Sequence, residues 1–144
     1  MSHLHTSTEP RTVSEILSSP TSEILARILL TSPFWISGTL KIFDFPSALG
    51  EAAHFGLQPV VPVAILVILV QIAGSLAVIL KRMTWFGAGA LGVFTVLASF
   101  VGHAFWTITD PMARFHDMNA FLANMGLIGG LVLVAVLAER ERAV

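Results

Sequence analysis

Few side chains able to do chemistry lie within the long apolar runs of this chain. The principal ones are Gln71, His103 and Asn124, with Lys41 at the end of a further run. An imidazole can take or give a proton near neutrality. Carboxamides and an ammonium donate hydrogen bonds. Together these groups suit a small polar-headed lipophilic ligand such as a quinone, whose two carbonyls accept hydrogen bonds on an apolar ring. Phe100, Phe105 and Trp106 are available to flank that ring. Each residue also has a structural reading. Gln71 and Asn124 can hydrogen-bond across helices for about 0.6–2 kcal/mol each. Lys41 and Asp44 are three apart and can form an interfacial ion pair. His103 can tie its helix to a neighbour. The sequence shows no nucleophile–base pair, phosphate-binding glycine loop or metal-ligand cluster. His3 and His5 stand in a polar tail without further ligands, so no metal is expected.

The elements that must hold these residues follow from composition. The 144 residues are 55% hydrophobic and only 12% charged, with a formal net charge of −1 and no cysteine. A soluble domain carries about 25% charged residues. There is no basic surplus for nucleic acid. Without cysteine there are no disulfides, thiolate metal sites or cysteine catalysis. Four stretches approach or reach the roughly 20 apolar residues that cross a bilayer: about 24–42, 60–80, 84–109 and 118–138. Trp85 and Trp106 are separated by roughly 31 Å of helix, about one hydrocarbon thickness, as an interfacial belt requires. The alternating pattern of a membrane barrel is absent. The expected fold is therefore an all-α integral membrane four-helix bundle over residues 19–144, behind a polar tail over residues 1–18.

Local signals refine this reading. Ser19-Pro20 is an N-cap and first helical position. Pro33 falls inside the first span and should bend it. Pro62 fits the first turn of the second. Thr12-Val-Ser-Glu15 has the capping-box pattern, which predicts a short surface helix from about Val13. Residues 48–57 suit an interfacial helix with Glu51 and His54 up and Leu49, Ala53 and Leu57 down. Residues 110–117 read as a short charged loop. The turn at residues 81–84 makes spans two and three antiparallel neighbours.

Arg11, Arg27, Lys81, Arg82, Arg140 and Arg142 fall on one side of the four spans, and Lys41 and Arg114 on the other. The positive-inside rule then puts both termini in the cytoplasm. The polar residues line up at helical spacing: Arg27, Thr31, Gly38 and Lys41; Ala64, Gln71, Gly74 and Ser75; Gly92, Ser99, His103, Thr107 and Asp110; Ala120, Asn124, Ala135 and Ala138. His103 and Asn124 lie about 9 Å below the outer surface marked by Lys41. These residues, with Gln71 nearer the middle and Asp44 at the mouth, are expected to border one cavity open to the outer half of the membrane. Gly126, Gly129 and Gly130 lie on the face opposite Asn124, where they can serve helix packing or a subunit contact.

Several of these features resemble the DoxX family of small bacterial and archaeal membrane proteins. Arg27-Ile-Leu-Leu-Thr-Ser-Pro-Phe-Trp-Ile-Ser-Gly-Thr-Leu-Lys-Ile42 is similar to the family's opening helix, with an early Arg, then an aromatic, then Ser-Gly followed by Lys. Gln71-Ile-Ala-Gly74 with Leu76 and Leu80-Lys-Arg resembles its second helix. His103 fits the third, and Leu122-Ala-Asn124-Met-Gly-Leu-Ile-Gly-Gly130 the closing helix. Gln71 stands where the family more often has Glu, and Ala123 where it often has Lys, so two ionisable groups are absent. The resemblance implies a four-helix fold in the cytoplasmic (inner) membrane and links the chain to quinone-coupled redox chemistry and redox-stress complexes. Three functional classes are open: a quinone-linked redox subunit, a transporter, and a non-catalytic membrane partner within a larger protein complex.

Overall fold

The structure, a computed structural model, describes residues 10–143; His3 and His5 lie outside them. The described residues form six helices and no strand. These are α1 (Arg11–Leu17), α2 (Pro20–Phe43), α3 (Phe45–His54), α4 (Val60–Ile79), α5 (Thr84–Gly102) and α6 (Pro111–Arg142). A single 3-10 turn over Phe105–Thr107 follows α5. Three segments are long and apolar enough to cross a membrane: α4, α5 with its 3-10 turn, and α6. α2 is of similar length, 24 residues, but carries Glu23, Arg27 and Lys41 among several hydroxyl side chains.

Helix starts follow their caps. Ser19 accepts from the Ser22 N–H at 3.2 Å, and Pro20 opens α2. Pro33 lacks the N–H that would bond the Leu29 carbonyl, and the Ser32 hydroxyl donates to that carbonyl instead at 2.8 Å. α1 begins two residues earlier than the capping box predicts. The Val13 and Ser14 N–H groups both bond the Pro10 carbonyl, so Thr12 is already inside the helix, and Glu15 pairs with Arg11 at 2.9 Å. Asp44 accepts from the Ser47 N–H at 3.1 Å, which starts α3 at Phe45 and removes Asp44 from any pairing with Lys41. Ala48 and Ala52 of α3 are buried, while Ala53, expected to point down, is exposed.

Two departures occur after α5. The helix stops at Gly102, and His103 has non-helical backbone (φ −130°, ψ 48°), so the third span is a helix plus a 3-10 turn rather than one rod. Residues expected as a loop are the first turns of α6. Asp110 accepts from the Ala113 N–H at 2.7 Å and Pro111 follows it, a strong start signal that places the helix N-terminus at Pro111.

Successive long helices pack side by side, α2 on α4, α4 on α5 and α5 on α6, with α6 returning to α2 and α3 lying against α4. Phe34, Val78, Leu91 and Leu131 form the core between them. α4 and α5 approach to backbone contact near their turn. A Cβ added to Gly87 would stand 2.7 Å from the Gly74 carbonyl oxygen, and one on Gly74 2.8 Å from Leu91. Small residues permit this closeness. The turn itself places Lys81 (φ 57°) and Met83 (φ 53°) in the left-handed region. The outward faces remain apolar, with Leu29, Leu66, Val93, Leu97 and Val132 all more than half exposed, as a lipid-facing surface is.

Candidate functional site

The polar residues of the buried stripes fall into separate groups. On α2 and α4, Gln71 is buried and its Nε2 donates to Ser37 Oγ at 3.4 Å, while its Oε1 has no partner. Lys41 donates to the same Ser37 oxygen at 3.0 Å and pairs with Glu51 of α3 at 2.8 Å. A chain Gln71–Ser37–Lys41–Glu51 therefore runs from the bundle interior to the α3 end.

On α5 and α6, Asn124 donates from Nδ2 to Ser99 Oγ at 2.9 Å, and Ser99 in turn donates to the Thr95 carbonyl at 2.7 Å. His103 Nδ1 faces Asp117 Oδ1 at 3.4 Å. The break after Gly102 turns His103 out of the helical stripe and toward that carboxylate. The four expected ligand residues thus form two sets, Gln71 with Lys41 and, on the other helix pair, Asn124 near His103. Thr107 and Asp110, expected to share the stripe of His103, are exposed because the helix has ended before them.

A lateral groove of about 860 Å³ opens between α4 and α5. Val63, Val67 and Val70 form one wall, Gly89, Val93 and Leu97 the other. It begins beside Trp85 and reaches Phe55, Glu51 and His103 at the α3 end. Apart from the indole at its far end, Glu51 and His103 are its only polar side chains, so the charge in the groove is confined to one extremity. Gln71, Lys41 and Asn124 do not line it. Nor do the aromatics expected to flank a ring. Phe100, Phe105 and Trp106 cluster with Phe121 at centroid separations of 5.1–6.0 Å and fasten the 3-10 turn to α6.

Sequence reasoning left Glu51 and Asp117 outside the site. Neither carries a local signal. Glu51 reaches Lys41 only because the Asp44 cap turns the chain back, and Asp117 meets His103 only because the loop is helical.

The opposite end, around the α4–α5 turn, holds a second charged group. Arg27 is 3% exposed; it pairs with Glu23 at 2.8 Å and donates to the Val78 carbonyl at 3.0 Å, near the end of α4. Lys81 pairs with the same Glu23 at 2.8 Å and with Glu141 of α6 at 3.2 Å. The Lys81 hydrogen bond, helped by Arg27, holds the Glu23 carboxyl below the ordinary carboxylate range against the opposing effect of burial. Glu23 in turn holds the Lys81 ammonium above the ordinary lysine value.

Of the three α6 glycines, Gly130 is covered, since a Cβ there would stand 2.8 Å from Leu30 Cδ1, whereas Gly126 and Gly129 face open space. Among the described residues no three His, Asp or Glu side chains gather as metal ligands.

Apolar outward faces, spanning helices and sparse, hydrogen-bonded interior polar groups define an integral membrane protein. Residues 23–104 match the DoxX family model, and the chain belongs to the DoxX family. The match runs from Glu23 in the first turn of α2, through α3, α4 and α5, to the residue after His103; the motif read in α6 lies beyond it. No curated protein and no solved structure matches the chain.

Proposed function

We propose that this chain is a four-span inner-membrane protein, residues 24–42 of α2 being the fourth span, that binds a polar-headed lipophilic molecule of the quinone class as a subunit of a redox complex. The observation that carries this is the α4–α5 groove, apolar along its length, with Glu51 and His103 among the residues lining its α3 end. Pockets of roughly 300–1,000 Å³ hold small ligands. An isoprenoid tail suits the apolar walls, and a ring head suits the polar end. Neutral imidazole is the group there with a natural role in proton exchange. By the positive-inside rule the α4–α5 turn and both termini face the cytoplasm, so the polar end faces outward. Lys41 acts through Glu51, and Gln71 and Asn124 hold the helices around the groove.

The test is saturable quenching of intrinsic tryptophan fluorescence by decyl-ubiquinone in nanodiscs. Wild type should saturate, and Val67→Trp, which fills the groove without touching a polar group, should not. Equal saturation by both would overturn the groove as the site. Reporter fusions at Val144 and within α3 should label opposite sides of the membrane.

The open space over Gly126 and Gly129 favours a second reading, a non-catalytic contact with a partner subunit. Gly126→Leu should then dissociate the native complex while the chain still inserts, and intact assembly would remove this reading.

A further inference from the structure

We infer that the α3 end of the groove selects a head that donates hydrogen bonds, and so holds the hydroquinone in preference to the quinone. This rests on the reading that a quinone-class molecule occupies the groove.

Quinone carbonyls need donors, and the side chains near this end that carry them are turned onto other partners, away from the groove. The Lys41 ammonium is held between Glu51 Oε2 at 2.8 Å and Ser37 Oγ at 3.0 Å. The Gln71 amide is turned onto Ser37, and the Asn124 amide onto Ser99. None of the three side chains lines the groove.

What does line it accepts. Glu51, paired with Lys41 through Oε2, is a carboxylate, and its Oε1 has no hydrogen-bond partner among the described residues. A carboxylate has no proton to give. Of the two imidazole tautomers, the one that can donate to Asp117 Oδ1, 3.4 Å from Nδ1, carries its proton on Nδ1. The nitrogen left for a ligand is Nε2, carrying a lone pair. Both groups at the head of the groove therefore call for O–H donors.

A hydroquinone supplies two phenolic O–H groups on one ring. A quinone of the same shape supplies two acceptors, which would face a carboxylate and an imidazole lone pair and gain no hydrogen bond from either. A site built to bond a hydroxyl rejects the analogue lacking it. Charge-assisted bonds of this kind are worth enough to give a preference of roughly tenfold or more. Asp117 is a positioning residue in this arrangement, since it sets which imidazole nitrogen is free.

The experiment is equilibrium binding of decyl-ubiquinone and of its hydroquinone to the full chain in phosphatidylcholine nanodiscs, without oxygen and at fixed pH. Wild type should hold the hydroquinone about tenfold tighter. Glu51→Gln, whose amide offers a donor as well as an acceptor, should bring the ratio close to unity. The wild-type ratio is decisive even where the variant folds poorly. Equal affinity, or tighter binding of the quinone, overturns this inference and leaves the groove reading standing. Binding of neither form overturns both. So does displacement of both forms by phosphatidylglycerol, a hydroxyl-bearing lipid.

Discussion

The two ends of the bundle use the same helices in opposite ways. At the turn end, α4 and α5 touch through Gly74 and Gly87, and Glu23, Arg27, Lys81 and Glu141 tie α2, the turn and α6 together. At the α3 end the groove that begins beside Trp85 meets its polar groups, which stand in separate pairs, Lys41 with Glu51 and His103 with Asp117. Close backbone approach excludes a ligand and holds the helices in register. The groove lined by Val63, Val67, Val93 and Leu97 leaves room for one. The close contact is confined to the turn end, whereas the groove runs past it to the polar α3 end.

Four experiments press on that contrast. The largest loss is expected from Gly87→Val at the closed end. Its Cβ would meet the Gly74 carbonyl oxygen at 2.7 Å, a backbone atom that cannot swing away. Overpacking of this sort costs about 3 kcal/mol, and thermal unfolding in detergent should show it. A substitution of the same size at Gly89 on the groove side, where the Cβ meets open space, should leave the midpoint nearly unchanged. A neutral result at Gly87 would erase the distinction between the ends.

Glu23→Gln should follow, at about 2 kcal/mol, because the buried Arg27 guanidinium then keeps only the Val78 carbonyl and a neutral amide. The same group fixes a pH dependence. Glu23 is held below the ordinary carboxylate range, so its contribution is full above the unfolded glutamate value, about pH 4.3, and is lost as pH falls through the lower folded value. Lys81 is raised, so its contribution is full below about pH 10.4 and is lost as pH rises through the higher folded value. The midpoint of wild type should therefore fall below about pH 4 more steeply than that of Glu23→Gln. Parallel acid limbs would show that Glu23 is not the group that titrates.

Asn124→Leu is expected to cost only about 0.6 kcal/mol, the usual worth of a hydrogen bond across membrane helices. Ser99→Ala should cost no more, and the double variant should be less than additive. Full additivity would show that the bond of 2.9 Å is not made.

The smallest effect should come from Met83→Gly. It relieves a left-handed residue in the turn without touching the ion pairs, and because the greater freedom of glycine in the unfolded chain offsets part of that relief, a gain of only about 0.4 kcal/mol is expected. A loss instead would mean that Met83 contributes packing that outweighs the backbone term.

Much of this arrangement is legible along the chain. The stripe of Arg27, Thr31 and Gly38 and that of Ala64, Gln71, Gly74 and Ser75 are buried, because helical periodicity reads one face of one helix at a time. Chain order alone misleads where a cap or a break intervenes. Asp110 and Pro111 convert a charged loop into helix, and Gly102 ends a helix whose apolar run continues.

Residue type and spacing alone determined three apolar segments able to cross a membrane, their outward faces, the buried stripes of α2 and α4 and the charge asymmetry between the two ends. All of these depend on residue type and on spacing within one element, and burial in lipid leaves helices as the only economical choice for such runs. The tertiary structure decided the partners. Lys41 takes Glu51 rather than Asp44, Asn124 takes Ser99, His103 takes Asp117, and of the four expected ligand residues only His103 reaches the groove. A side chain's partner depends on which helices adjoin, on where each begins, and on how closely their backbones approach. Gly74 and Gly87 set that last quantity across two helices at once, and periodicity within one helix carries no record of it.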